Sequence, residues 1–232
     1  MTPHPDWIVP DWPAPSQVRA VFTTRAGGVS SPPFDSLNLG DHVRDTPASV
    51  SANRKILHDA LGVRPVYLQQ VHGTVALAID GNTPDGAVAD AAVSTQRGIA
   101  CTVMVADCLP VLLTDGAGTA VAAVHAGWRG LQQGVLEQVF TDFNECLRPS
   151  ALAGYVQAAT NSIASTTMAW LGPCIGPQAF EVGPEVLEAF VSLDQGARVM
   201  FKPGAQGKWL ADLAGLARLR LQALGITHIY GN

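Results

Sequence analysis

The stretch Met104–Gly130, MVADCLPVLLTDGAGTAVAAVHAGWRG, holds two apolar runs, LPVLLT and AVAAV, separated by the turn-forming segment DGAG. Near-continuous apolar runs of this length describe strands buried on both faces rather than strands with one wet side. Each run stands beside a reactive side chain: Cys108 next to Pro110, and His125 next to Gly127. Such a pattern fits a packed sheet with incidental polar residues, or a sheet whose strand ends present a chemical site. The residues just before it, IACTVMVAD (99–107), read as a third apolar strand, and the three runs together predict the centre of a β-sheet.

Outward from that centre the pattern alternates between strands and helices. VRAVFTTRAGG (18–28) is β-branched and alternating and predicts a strand that ends at Gly27-Gly28, while SSPPFDSLNLGDHVRD (30–45) is turn-rich. A helix is expected from Pro47, with Thr46 as N-cap, Val50, Leu57 and Leu61 on one face, and Gly62 as the stop. PVYLQQVHG (65–73) and TVALAID (74–80) predict a strand pair joined near Gly73. A polar loop follows over 82–98, with DAAVST as a short strand inside it.

C-terminal to the centre, LQQGVLEQVFTDFNECL (131–147) predicts one helix with Leu131, Val135, Leu136, Val139, Phe143 and Leu147 as its inner stripe. MAWLGPCIG (168–176) predicts a strand, GPEVLEAFVSL (183–193) and KWLADLAGLARLRLQALG (208–225) predict helices, and ITHIYG (226–231) a final strand. The expected class is α+β, with a mixed β-sheet core flanked by helices. Residues 1–18, rich in Pro and Trp, are expected to lie as an extended arm on a single domain spanning 19–232.

The composition narrows the function classes. The 232 residues are 47% apolar and 14% charged, enough for a sizeable core. A net charge of −5 and the lack of any basic run argue against nucleic acid as a partner. No segment reads as a membrane span, and the N-terminus MTPHPDWIVPDWPAP does not read as a signal peptide. The four cysteines form neither CxxC pairs nor a disulfide framework, which points to free thiols and a cytoplasmic location.

Three side chains carry the chemistry. His72 in QQVHG, Cys108 in ADCLP and His125 in VHAGWRG are each expected to close an apolar strand, each with Gly or Pro within two residues. Ends of neighbouring strands lie about 5 Å apart, so three such side chains can meet on one ion. Two imidazoles and a thiolate suit zinc, and three protein ligands leave the fourth position that marks a catalytic rather than a structural site. Zinc in such a site brings the pKa of bound water to about 7. A Cys108–His125 nucleophile–base pair is the competing arrangement, but it leaves His72 without a role. A lone His at a strand end is more commonly a hydrogen-bonded surface residue, and a lone Cys in an apolar run a core residue.

TTRAGGVS, LNLGDHV, NRKIL, QQVHG, DAAVST, ADCLPVLL, VHAGWRG and LGPCIG occur in this order, and from about Arg19 onward the chain resembles the laccase-domain family. Members of that family were first called polyphenol oxidases and later described as purine nucleoside phosphorylases. The resemblance implies an α+β fold similar to that of a toxin deamidase with a Cys–His site. It also implies zinc on His72, Cys108 and His125, phosphorolysis of adenosine, inosine and methylthioadenosine, and adenosine deamination. The substrates would then be a small-molecule nucleoside and phosphate.

Within that frame Cys108 and His125 count as catalytic as well as ligating, and Asp107 is a candidate proton shuttle that reads equally well as a turn cap. Arg25, Arg54 and Arg129 are candidates for phosphate, and Trp128 for stacking on a purine. Copper competes for the same three ligands. A multicopper oxidase, however, needs more histidines than the six present here, no two of which are separated by a single residue. A copper-dependent polyphenol oxidase (laccase) arising by metal substitution, a peptidoglycan-precursor editing hydrolase and a non-catalytic, metal-stabilised binding protein remain as alternatives. The zinc-deaminase signature of HxE with PCxxC is absent. The sequence departs from the family in two places: it stops at IYGN, where members continue through a Cys-Thr and a segment with two arginines, and ALAGYVQAATNSIASTT is longer than usual.

Overall fold

The computed structural model describes residues 3–147 and 162–232. The two apolar runs form the predicted strand pair. In the main sheet the strands are β1 (Ala76–Ala78), β2 (Ala91–Ser94), β3 (Leu109–Thr114), β4 (Val121–Ala126), β5 (Met168–Leu171) and β6 (His228–Gly231). Their spatial order is β6-β5-β3-β4-β2-β1. The three central pairings are antiparallel and the two outer ones, β6 with β5 and β1 with β2, are parallel, so the sheet is mixed. The β3–β4 turn is built around the buried Asp115, whose carboxylate accepts from the N–H groups of Ala117, Thr119 and Ala120.

The fold is α+β. Alternate side chains of the central strands, among them Leu109, Val111 and Leu113 from β3 and Ala122, Val124 and Ala126 from β4, join one large buried cluster with the helices. Helix α1 (Pro47–Leu61) contributes to a separate cluster, whereas α2 (Trp128–Gln133), α3 (Val135–Leu147), α4 (Pro184–Val191) and α5 (Leu213–Ala223) join the large one. The opposite side of the sheet carries smaller clusters: Val66, Leu68, Ile79, Ala89 and Ala92 in one, and Trp7, Leu37, Leu57 and Tyr67 in another. Through Trp7 the N-terminal residues are therefore packed down rather than free.

Four sequence expectations are corrected. The helix expected over 131–147 is two, because Gly134 sits at φ 99, a left-handed conformation that ends α2. The stripe is otherwise as expected, with Leu131, Val135, Leu136, Val139 and Phe143 buried and Leu147 half-buried. PVYLQQVHG and TVALAID do not pair with each other: Arg64–Val66 pairs with Ile99–Cys101, Leu68–Gln69 with Ala87–Val88, and β1 with β2. The chain near Gly73 is bound to Asp90 instead of closing a hairpin. The run IACTVMVAD contributes only Ile99–Cys101, outside the main sheet. In KWLADLAGLARLRLQALG the helix begins only at Leu213, because Asp212 caps it through the Gly215 N–H at 2.8 Å and Trp209–Ala211 is a strand.

Other expectations meet a simpler outcome. VRAVFTTRAGG is extended but joins only one bridge, between Phe22 and Ile8. Helix α1 starts at Pro47 and stops at Gly62 (φ 67), although the Thr46 hydroxyl makes no capping bond. Its fully buried Asn53 accepts from the Val29 N–H at 2.8 Å and places its amide nitrogen 2.8–3.1 Å from Ser30 Oγ, Ser36 O and Asn38 O. One side chain thus pins the turn-rich 28–38 segment. Residues 151–161 of the long segment ALAGYVQAATNSIASTT lie outside the described residues. Among the described residues no helix is long and apolar enough to cross a membrane.

Phe143 is the largest fully buried side chain of the core. Phe143→Ala is expected to lower the unfolding free energy by about 3–5 kcal/mol, read from urea denaturation; an unchanged midpoint would contradict this placement of α3.

Candidate metal centre

Antiparallel pairing of β3 with β4 decides where Cys108 and His125 sit. Leu109 opposes Ala126 and Pro110 opposes His125. The start of β3 and the end of β4 therefore share one end of the sheet, so Cys108, one residue before β3, stands beside His125. Cys108 opens its strand rather than closing one, which differs from the sequence expectation. His72 also closes no strand of the main sheet: it lies in the loop between Leu68–Gln69 and β1, with a left-handed backbone at φ 60. A non-glycine residue held there is conformationally strained and needs its surroundings to hold it.

The three side chains nevertheless converge. One ligand atom from each of His72, Cys108 and His125 lies within 4.8 Å of the other two. Cys108 Sγ is 3.8 Å from His72 Nε2, and the two imidazole rings meet edge to face at 4.7 Å between centroids. Around tetrahedral zinc, bond lengths of about 2.3 Å to sulfur and 2.0–2.1 Å to nitrogen put the donors roughly 3.5 Å apart. The observed spacing is therefore close to what one ion requires.

Gly127 gives a second test of fit. A Cβ there would lie 2.9 Å from His72 Cδ2, 3.0 Å from Cys108 Sγ and 3.7 Å from His125 Nε2. The missing side chain is thus the space around which the three donors are arranged. Gly130 lets the same turn approach the His72 loop, since a Cβ there would meet the Gly73 carbonyl oxygen at 2.7 Å. The donor set and the space left for it both fit a metal ion.

Beneath the ligands lies Asp90, whose side chain is fully buried. Its Oδ1 accepts from the His72 N–H at 2.9 Å and lies 2.8 Å from His125 Nδ1. Its Oδ2 accepts from the N–H groups of Gly73 at 2.7 Å and Val71 at 3.2 Å. The Asp90 carbonyl oxygen also accepts from the His125 N–H at 2.7 Å. Burial alone would push the carboxyl up; the His125 imidazole and the three backbone N–H groups outweigh it and hold Asp90 below the usual carboxylate range. Sequence reasoning missed this residue. Its only signal was an acidic side chain among the small residues of VADAAVS, and a buried carboxylate there needs donors from elsewhere in the chain.

Burial, reinforced by neighbouring Asp107, pushes the Cys108 thiol up to about 11. Burial and the nearby His125 push His72 down. Without a cation the site therefore holds a thiol and, at His72, a neutral imidazole. A nucleophilic cysteine needs the opposite shift, and the imidazole within hydrogen-bonding reach of Sγ is His72 rather than His125. A coordinating cation removes the thiol proton outright, so the same environment suits a ligand better than a free nucleophile.

Around the rim, Asp107 is exposed next to Cys108, and its carbonyl oxygen accepts from the Ile175 N–H at 2.9 Å. Arg129 is exposed, its guanidinium 4.5 Å over the Trp128 ring, and its charge reaches His72. Trp128 itself packs partly against the main core. The other two arginines are engaged elsewhere. Arg25 pairs with the Asp35 carboxylate at 3.2 Å and donates to its carbonyl oxygen at 2.6 Å. Arg54 donates to the Leu39 carbonyl oxygen, pairs with Asp41 at 3.2 Å and stacks 4.0 Å over Tyr67. Arg25 lines a groove of about 1150 Å³ to which none of the three clustered ligands contributes.

Purine nucleoside phosphorylase PA4543 of Pseudomonas aeruginosa is 48% identical to this chain over 230 residues, covering 97% of this chain and 86% of the relative. Purine nucleoside phosphorylase YfiH of Escherichia coli is 48% identical over 226 residues with the same coverage. Among solved structures, Neisseria meningitidis protein NMB0706 superposes with a TM-score of 0.85 at 44% identity, covering 97% of this chain and 86% of that one. YlmD from Geobacillus stearothermophilus follows the same fold, with a TM-score of 0.79 at 26% identity over 94% of this chain and 81% of that one. Residues 19–232 match the family model described as multi-copper polyphenol oxidoreductase laccase, and the chain belongs to that family.

Proposed function

We propose that the chain is a zinc-dependent purine nucleoside phosphorylase acting on adenosine, inosine and methylthioadenosine, with adenosine deamination at the same centre. The observation that carries the proposal is the convergence of His72, Cys108 and His125 over Gly127. Relatives named purine nucleoside phosphorylase at 48% identity support the substrate class. Two imidazoles and a thiolate suit zinc, which His72, Cys108 and His125 would hold and which would supply Lewis acidity there. Copper competes for the same donors. Among the described residues this is the single group of clustered His, Cys and acidic ligands, which is too few for a multicopper oxidase.

Phosphorolysis breaks the bond between C1′ and the purine nitrogen, forms a C1′–O bond to phosphate, and leaves a proton on the departing base. Arg129 is the arginine best placed to bind phosphate in bidentate fashion, because it is exposed at the rim and, among the described residues, not paired with a carboxylate in the way that Arg25 and Arg54 are. The Trp128 ring beneath it limits its orientations. Asp107 is the exposed carboxylate beside Cys108 and takes the role of holding the exchanged proton.

Cys108→Ala and His125→Ala are each expected to reduce bound zinc to background and nucleoside turnover to the uncatalysed rate; metal analysis with a chromatographic assay reads both, and wild-type turnover in either variant rules out the zinc mechanism. Omitting phosphate from the wild-type assay should stop base release and spare deamination of adenosine. Equal base release without phosphate would make the enzyme a hydrolase. Gly127→Ala should cost about 1–3 kcal/mol of overpacking and weaken zinc binding by pushing His72 and Cys108 aside; unchanged zinc affinity by chelator competition would contradict the tight floor.

A further inference from the structure

We infer that Asp90 is the positioning residue of the centre, one carboxylate that sets the His125 tautomer and fixes the His72 loop at the same time. The inference rests on the metal-dependent reading of the site and extends it to a residue that touches neither metal nor substrate.

Every group that meets the Asp90 side chain is, or must become, a donor. Three are backbone N–H groups, of Val71, His72 and Gly73, and cannot be anything else. The fourth is His125 Nδ1 at 2.8 Å. A carboxylate accepts at both oxygens, so it satisfies all four only if Nδ1 carries the proton. That leaves the Nε2 lone pair free, and Nε2 is the ring nitrogen near the Gly127 floor. A metal-ligating histidine whose second nitrogen donates to a carboxylate is fixed in both tautomer and ring orientation.

The same carboxylate explains how His72 reaches the site. Its loop belongs to no strand and holds a left-handed residue, yet three successive N–H groups close on the two Asp90 oxygens. Asp90 sits one residue before β2, and β2 pairs with β4, so the clip ties the loop directly to the strand that bears His125. Neither ligand is placed independently of the other.

Asn in this position cannot do both tasks. If its NH₂ faces Val71 and Gly73, donor meets donor and the loop is released. If it faces His72 and His125, the Nδ1 atom must accept instead, and the proton moves to Nε2, where it blocks ligation.

The test uses the full chain and zinc as the probe. Zinc affinity is measured by chelator competition for wild type, Asp90→Asn, His125→Ala and the double variant, with circular dichroism on each metal-free protein. Asp90→Asn is expected to keep its far-ultraviolet spectrum and to bind zinc about 10–100-fold more weakly. In the His125→Ala background the same change should cost clearly less, because part of its effect acts through that ring. Long-range ¹H–¹⁵N NMR of metal-free wild type gives a readout independent of any variant's folding: His125 is expected to be protonated at Nδ1. Equal zinc affinity for wild type and Asp90→Asn, full additivity in the double variant, or an Nε2–H tautomer at His125 would each overturn the inference. A wild type that binds no zinc would instead refute the metal-dependent reading on which it rests.

Discussion

Four hydrogen bonds converge on one buried carboxylate, and the candidate centre depends on that convergence. Asp90 joins a loop to a strand, and each brings a histidine. A buried carboxylate without partners is strongly unfavourable, whereas one with four donors is stable as the anion. The interaction is therefore self-enforcing: the loop cannot leave without stranding the charge, and the charge is tolerated only because the loop is there. The third side chain of the cluster, Cys108, needs no such clip, because the β3–β4 register already sets it beside His125.

The electrostatics of the pocket favour coordination over nucleophilic attack. Burial and Asp107 hold the Cys108 proton in place when no cation is present, and His72 is kept from charging by burial and by His125. Metal binding to such a set displaces the thiol proton, so affinity for the ion rises with pH as that proton becomes easier to remove. The relatives' names and the family model point in two directions, nucleoside phosphorylase and polyphenol oxidoreductase. Among the described residues there is a single cluster of three His and Cys side chains that could hold a metal ion.

Much of this was legible in the sequence, and the gaps have physical causes. The apolar runs at 109–114 and 121–126 are strands, the helix at 47–61 is visible from its Pro, its Gly stop and its apolar face, and the helix at 184–191 falls inside the segment that predicts it. Pairing partners were less accessible. PVYLQQVHG and TVALAID look like a hairpin because only local spacing is written in the chain, while their actual partners lie more than ten residues away. Gly134 inside an apolar stripe gave too weak a signal to break a helix on paper. His72, Cys108 and His125 were identifiable by residue type and by their Gly and Pro neighbours. Asp90 was not, because a second layer of support is defined by donors that converge only after folding. Sequence favours Arg25 and Arg129 over Arg54, and folding separates exposed Arg129 from Arg25 and Arg54, each paired with an aspartate.

Zinc K-edge X-ray absorption on the purified full chain tests the central claim most directly. The expected spectrum shows one sulfur scatterer at about 2.3 Å and two imidazole nitrogens at about 2.0–2.1 Å, with a light oxygen or nitrogen atom in the remaining position. A spectrum without sulfur, or one with only oxygen neighbours, would mean that His72, Cys108 and His125 do not hold the ion.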